Sequence, residues 1–182
     1  MKEIRVHGRG GQGGVTSAEL VATAAIDEGR YAQAFPSFGP ERRGAPVSAF
    51  IRVSDQPIRT REKVYHPDIV VVLDHSLPSL VNVAEGLREG GIIVLNSGLK
   101  EAEVRKKFDL KARLALVDAN TIAREEIGLP ITNTTMLGAL LKATGIVSVE
   151  ALDEALDRRF GRLSAKNKAA MHRAFNETVM TG

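Results

Sequence analysis

The sequence predicts a three-layer α/β fold with a mostly parallel sheet, and three observations carry that expectation. First, a short strand, a glycine-rich turn and a helical pattern follow one another over residues 4–28. Second, apolar runs at residues 69–73, 92–95 and 114–117 are separated by helical patterns. Strands alternating with helices at this spacing build a doubly wound sheet. Third, the last third of the chain reads as helix after helix.

Residues 4–6 open the sheet. Ile4 and Val6 alternate with Arg5 and His7, the two-residue period of a strand. Gly8-Arg9-Gly10-Gly11-Gln12-Gly13-Gly14 comes next. Glycine permits positive φ and leaves no side chain between the backbone and a ligand. A helix is expected over residues 14–28, with Val15, Leu20, Val21, Ala24 and Ala25 on its apolar face. Gly29 suits the left-handed position after it. Tyr31-Ala32-Gln33-Ala34-Phe35 reads as the second strand.

The segment 36–46 packs prolines, glycines and the adjacent Arg42 and Arg43 into one loop. A strand over residues 47–53 and a turn at residues 54–57 follow. The pattern is strand–loop–strand, an antiparallel insertion in a chain that otherwise alternates strand and helix. Residues 69–73, flanked by Asp68 and Asp74, fit a central strand buried on both faces. A helix is expected over residues 77–89, a buried strand over 92–95, a short helix over 101–108 and a strand over 114–117.

Residues 128–131 break the chain. Thr132-Asn133-Thr134-Thr135 then supplies N-caps for a helix through Thr144, stopped by Gly145. Ser148 is expected to cap a helix through Phe160, stopped by Gly161, and Ser164 to cap the last one. Met171, Phe175 and Val179 recur every four residues there, a core-facing stripe. The whole is a Rossmann-like arrangement with an inserted antiparallel strand–loop–strand and C-terminal helices, expected as one domain over residues 1–182. There is no internal repeat.

Composition narrows the chemistry. At 43% hydrophobic and 26% charged residues, the chain is an ordinary globular one. It has no cysteine, which excludes disulfides, a cysteine-ligated iron–sulfur cluster and a thiol nucleophile in this chain. A net charge of +3 and 4% aromatics give no nucleic-acid footprint. No apolar run approaches the roughly 20 residues of a membrane span. Met1-Lys2-Glu3 leads into the first strand, so no signal peptide and a cytoplasmic location are expected.

Gly8-x-Gly10-x-x-Gly13 matches the dinucleotide fingerprint, in the right place between strand and helix. The fingerprint also wants an acid at the end of the second strand to hold a ribose hydroxyl. Here that strand ends Phe35-Pro36-Ser37, without one. No Gly-Lys-Ser/Thr follows either, so the P-loop reading fails. The loop is phosphate-competent but not a standard NAD or ATP site, and a purely structural glycine turn stands beside that reading. Arg42 and Arg43 read either as a solvated loop or as two guanidinium groups held for phosphate or carboxylate. Asn133 reads as an ordinary N-cap or as a donor to an anion. Asp74, Ser76, Asn96, Ser97, Asp118 and Asn120 fall at strand ends, where caps and turn formers are the usual role.

Catalytic machinery is thin. His7, His66, His75 and His172 show no metal-ligand spacing, and no nucleophile elbow is present. A domain that binds a phosphorylated ligand without an acid–base set points to a subunit serving another chain's active site.

Three motifs in register carry a resemblance: the glycine loop at residues 8–14, the run from Tyr31-Ala32-Gln33-Ala34-Phe35 into Ser37-Phe38-Gly39-Pro40-Glu41-Arg42-Arg43-Gly44, and Thr132-Asn133-Thr134-Thr135-Met136-Leu137-Gly138. Together they resemble the gamma subunit of 2-oxoacid:ferredoxin oxidoreductases, over residues 4–144. The resemblance implies a holoenzyme that decarboxylates a 2-oxoacid on thiamine diphosphate. It passes electrons through 4Fe–4S clusters to ferredoxin and transfers the acyl group to coenzyme A. Thiamine diphosphate and the clusters would belong to alpha, beta and delta-type partner subunits. The gamma chain would contribute to the coenzyme A site through Gly10, Gly11, Gln12, Gly13, Arg42, Arg43 and Asn133, with no catalytic residue and no metal of its own. Two other readings stay open: a free-standing oxidoreductase binding NAD or a flavin, and a scaffold whose glycine loop docks against a partner.

Overall fold

A computed structural model of the chain describes residues 1–37 and 43–182. The elements run β1 (Lys2–Arg9), α1 (Gly14–Asp27), β2 (Tyr31–Pro36), β3 (Pro46–Ser54), β4 (Ile69–Val72), β5 (Ile92–Asn96), α2 (Glu101–Phe108), β6 (Arg113–Val117), α3 (Ala119–Glu126), α4 (Asn133–Thr144), α5 (Val149–Phe160), α6 (Ser164–Glu177) and β7 (Val179–Thr181). The strands form one sheet in the order β2-β3-β1-β4-β5-β6-β7. β1, β4, β5 and β6 are parallel to one another. β3 runs against both β1 and β2, and β7 runs against β6. β2 therefore points the same way as β1, and the sheet is mostly parallel with an antiparallel insertion, as the sequence predicts.

The alternation in β1 sorts its side chains between two layers. Ile4 and Val6 enter the larger core with Ile51, Val53, Ile69, Val71, Val94 and Val117. α1, α4, α5 and α6 cover that face, contributing Leu20, Met136, Leu140, Leu152, Leu156 and Met171. The helices close tightly because Gly138 has no side chain. A Cβ there would lie 1.9 Å from the Met171 carbonyl oxygen.

The opposite face is divided. Under β4, β5 and β6, Val70, Val72, Ile93, Leu95, Leu114 and Leu116 pack on Leu77, Val83 and Val104. Under β1 and β3 the buried groups include an ionic cluster. Arg52 Nε donates to Glu3 Oε1 at 2.8 Å, and Arg88 reaches the other Glu3 oxygen at 2.8 Å. Arg52 also lies over the Phe35 ring, which meets Phe50 at a centroid distance of 5.3 Å.

Three expectations need correction. Residues 77–89 are not one helix. A 3-10 turn covers only Leu77–Ser79, and irregular turns follow. Arg5 takes the carbonyls of Val83 and Glu85, and Gly86 sits at φ 69° where a Cβ would meet the Tyr65 carbonyl. Ser164 is the first residue of α6 rather than its cap, and its hydroxyl donates to Asp157. Val179 leaves the stripe of Met171 and Phe175, because the chain has passed into the edge strand β7 and the side chain is exposed. α3 and β7 are elements that the sequence reading did not place.

Candidate functional site

β1 carries the glycine loop to the carboxyl edge of the sheet, between β3 on one side and β4 on the other. Ligands bind at such a reversal of strand order. Gly11 at φ 90° and Gly13 at φ 78° turn the chain into α1. Gly13 is the N-cap residue, and no side chain caps the helix. The N–H groups of Gly14, Val15 and Thr16 have no intrahelical acceptor by helix geometry. They line a cleft of about 320 Å³ with Gly10, Gly11 and residues of β3. Open N–H groups and the positive end of the helix dipole make an anion site.

Gln12 faces inward. Its Oε1 accepts from the Arg9 N–H at 2.7 Å, and its Nε2 donates to Asp74 Oδ2 at 2.8 Å. The side chain shapes the loop and leaves the loop's backbone for a ligand. Arg9 completes a latch: its Nε meets Asp74 at 3.1 Å, Nη1 the Gly44 carbonyl at 2.9 Å and Nη2 Ser76 Oγ at 2.8 Å. Burial alone would raise the Asp74 pKa. Hydrogen bonds from Ser76 and Gln12 and the Arg9 charge outweigh it and hold the group down at about 2, so it stays ionised.

Asn133 opens α4 and packs on the glycine loop across 120 residues of sequence. Its Nδ2 lies 2.4 Å from where a Gly13 Cβ would be, so only glycine at 13 lets the two motifs meet. Asn133 is 6% exposed, and its Oδ1 is buried without a hydrogen-bond partner among the described residues. Ser17 Oγ bonds both the Gly13 carbonyl, at 3.2 Å, and the Asn133 carbonyl, at 3.3 Å. The neighbouring threonines serve the fold: Thr132 donates to the Leu73 carbonyl and Thr134 to Asn167.

Of the two arginines, Arg43 is exposed and bridges to Gly10, with its Cγ 4.0 Å from an ideal Gly11 Cβ. The Gly10 N–H donates to the Ala45 carbonyl at 2.9 Å. Arg42 lies outside the described residues. The structure therefore gathers Gly10, Gly11, Gln12, Gly13, Arg43 and Asn133 at one end of β1. The sequence reading did not single out Arg9 or its latch to Asp74 and Ser76. That pairing depends on β4 lying beside β1, which the motifs do not reveal.

Among the described residues no cluster of histidine and carboxylate side chains could hold a metal, and no helix is long and apolar enough to cross a membrane. The site defines a class: an α/β domain whose glycine loop opens on a helix start, with no acid–base set assembled around it among the described residues. Residues 3–177 match the pyruvate ferredoxin/flavodoxin oxidoreductase family. The chain is 56% identical over 182 residues to the pyruvate/ketoisovalerate oxidoreductases common subunit gamma of Thermococcus litoralis, covering 99% of this chain and 98% of that one. It is 48% identical over 184 residues to the pyruvate synthase subunit PorC of Methanothermobacter marburgensis, covering 100% of both. The pyruvate oxidoreductase subunit PORC of Thermotoga maritima superimposes with a TM-score of 0.88 at 39% identity, covering 100% of this chain and 98% of that one. The fold also occurs, with a TM-score of 0.76 and 20% identity over 96% of this chain, as 30% of a longer chain in a 2-oxoglutarate:ferredoxin oxidoreductase of Magnetococcus marinus. The chain belongs to the pyruvate ferredoxin/flavodoxin oxidoreductase family, as a gamma, or PorC-type, subunit of a ferredoxin-linked oxidoreductase.

Proposed function

We propose that this chain lends part of the coenzyme A site, and an assembly surface, to a 2-oxoacid:ferredoxin oxidoreductase. The holoenzyme converts a 2-oxoacid, coenzyme A and oxidised ferredoxin to acyl-CoA, carbon dioxide and reduced ferredoxin. One observation carries the reading: the uncapped start of α1 opens on a cleft, with the buried Asn133 amide packed on Gly13. Backbone N–H groups there would take the diphosphate, and Arg42 and Arg43 would add charge from the turn. The Magnetococcus marinus enzyme, which contains this fold, was solved with 2-oxoglutarate, coenzyme A and succinyl-CoA bound.

Thiamine diphosphate and the 4Fe–4S clusters sit in alpha, beta and delta-type partners in this reading. The absence of any cysteine in the chain agrees with that division and with a reducing, cytoplasmic setting. Ferredoxin is reached through those partners. A place as one subunit among several disfavours the free-standing NAD or flavin reading. The scaffold reading differs from ours in having no ligand at the glycine loop.

The test is kinetic and uses the assembled complex. Asn133→Ala should raise the KM for coenzyme A by about tenfold, the value of one buried polar contact. Arg42→Ala should act in the same direction. Decarboxylation measured without coenzyme A should be retained in both. If both variants keep a normal coenzyme A dependence, the loop is scaffold and the reading fails.

A further inference from the structure

A cavity of about 460 Å³ lies under β1 and β3, on the face of the sheet opposite α1. It plays no part in the glycine-loop site. Its lining joins a cationic corner to an apolar wall, the combination that small-molecule sites share. Phe50 and Leu77 form the buried part of the wall, and Val81 and Tyr65 extend it.

The corner holds a buried charge without a counterion. Arg5 is 8% exposed and has no ion-pair partner among the described residues, whereas the buried Arg52 has Glu3. Arg5 Nε donates to His7 Nε2 at 3.0 Å, and Nη2 donates to the carbonyls of Val83 and Glu85. Those acceptors are uncharged at neutral pH, because burial keeps the His7 ring neutral. Nη1 finds no acceptor among the described residues. Since His7 Nε2 accepts, the neutral ring carries its proton on Nδ1, which lies 3.5 Å from Ser48 Oγ. His7, Ser48 and Lys63 all line the cavity with Arg5. Lys63 makes no ion pair among the described residues either. The corner thus offers donors: a guanidinium N–H pair, a ring N–H, a hydroxyl and an ammonium.

A buried charge is costly until an opposite charge meets it. Charge counting sets the size of that opposite charge. Arg5 and Lys63 bring +2, and Glu85, the one carboxylate among the lining residues, brings −1. The remainder is +1, which a monoanion neutralises. A phosphate monoester carries nearly two negative charges at neutral pH, one too many. A carboxylate carries one, and an apolar body attached to it would cover the wall.

We infer that this cavity binds a small carboxylic acid with an apolar body. Its carboxylate answers the charge of Arg5 and Lys63, and its body lies against Phe50, Leu77 and Val81. The site is separate from the glycine loop and does not rest on the coenzyme A reading.

Equilibrium dialysis of the assembled oxidoreductase against isovalerate, hexanoate and phenylacetate tests this. At least one of the three should bind with one more molecule per gamma chain in the wild type than in Val81→Trp, whose indole fills the cavity. Counting by difference removes binding elsewhere in the complex. The amide of the same acid should bind the extra site about tenfold more weakly, because it brings no charge to Arg5. Lys63→Met, at an exposed position, should weaken the acid about threefold and leave the amide unchanged. No extra molecule for any of the three acids overturns the inference, whether a partner subunit fills the cavity or nothing does. Equal binding of acid and amide overturns it too, since the cavity would then select shape and not charge. Displacement of the acid by equimolar inorganic phosphate would make this a phosphate site and also overturn it. Should Val81→Trp not assemble, Lys63→Met decides: an affinity for the acid equal to that of the wild type overturns the inference.

Discussion

The two faces of the sheet solve the same burial problem with opposite chemistry. Above β1 and β3, Ile4, Val6, Ile51 and Val53 meet α1 and the C-terminal helices in a continuous apolar layer. Below the same strands, Glu3, Arg5 and Arg52 are nearly as buried, at 8%, 8% and 2% exposure. The apolar face is non-directional and depends on shape. The ionic face depends on every charge keeping its partner, and so tolerates single changes poorly. The glycine loop and its helix start grow out of the junction between the two.

Breaking the shape of the upper face should have the largest effect. Gly138→Ala puts a methyl group against the Met171 carbonyl and the Phe175 N–H, both backbone groups that cannot turn aside. A loss of about 4 kcal/mol is expected, read from denaturant unfolding. If it proves neutral, α4 and α6 do not pack this closely.

On the lower face the two partners of one ion pair should differ. Glu3→Gln leaves Arg52 buried beside no acid and should cost about 3 kcal/mol. Arg52→Met leaves Glu3 still paired with Arg88 and should cost about half as much. The same unfolding measurement ranks them. The reverse order would mean that Arg88 does not compensate.

A pH series sharpens the contrast further. Burial, with help from the Arg5 charge, lowers the His7 pKa from 6.5 to about 4. Between those values the unfolded chain takes up a proton that the folded chain refuses. Stability from His7 is thus complete above pH 6.5 and falls as the pH drops to about 4. Asp74 acts in the same direction but lower, between 3.8 and about 2. His7→Gln should flatten the upper window alone, as unfolding midpoints between pH 7 and 4.5 would show.

The smallest effect concerns two helix starts. Ser148 Oγ accepts the Ala151 N–H at 3.1 Å and caps α5, whereas α1 begins at a glycine with no cap. Ser148→Ala should cost about 1 kcal/mol without touching turnover. The α1 start shares its lack of a side-chain cap with α4 and α6, so a cap is not what sets it apart; the glycine loop in front of it is.

Much of this architecture was legible beforehand. The helix expected over residues 101–108 is α2, and the apolar runs at 69–73 and 92–95 are β4 and β5 to within one residue. Their periodicity is local and strong, so propensity and packing agree. Residues 77–89 misled because their carbonyls are claimed by Arg5, about 80 residues earlier in the chain. β7 was invisible because three residues carry no periodic signal. At the site, the glycine loop, Arg43 and Asn133 were visible as motifs. The Arg9–Asp74 latch was not, since it exists only when β1 and β4 are neighbours.

The sequence by itself determined the class of fold, the glycine turn between β1 and α1 and the lack of cysteine chemistry. Those follow from residue type and spacing, which act over a few residues. Tertiary structure decided that Asn133 meets Gly13 and that Gln12 points inward to Asp74. Each of these depends on strand order and on how closely two backbones approach, and both are set by packing across the whole chain.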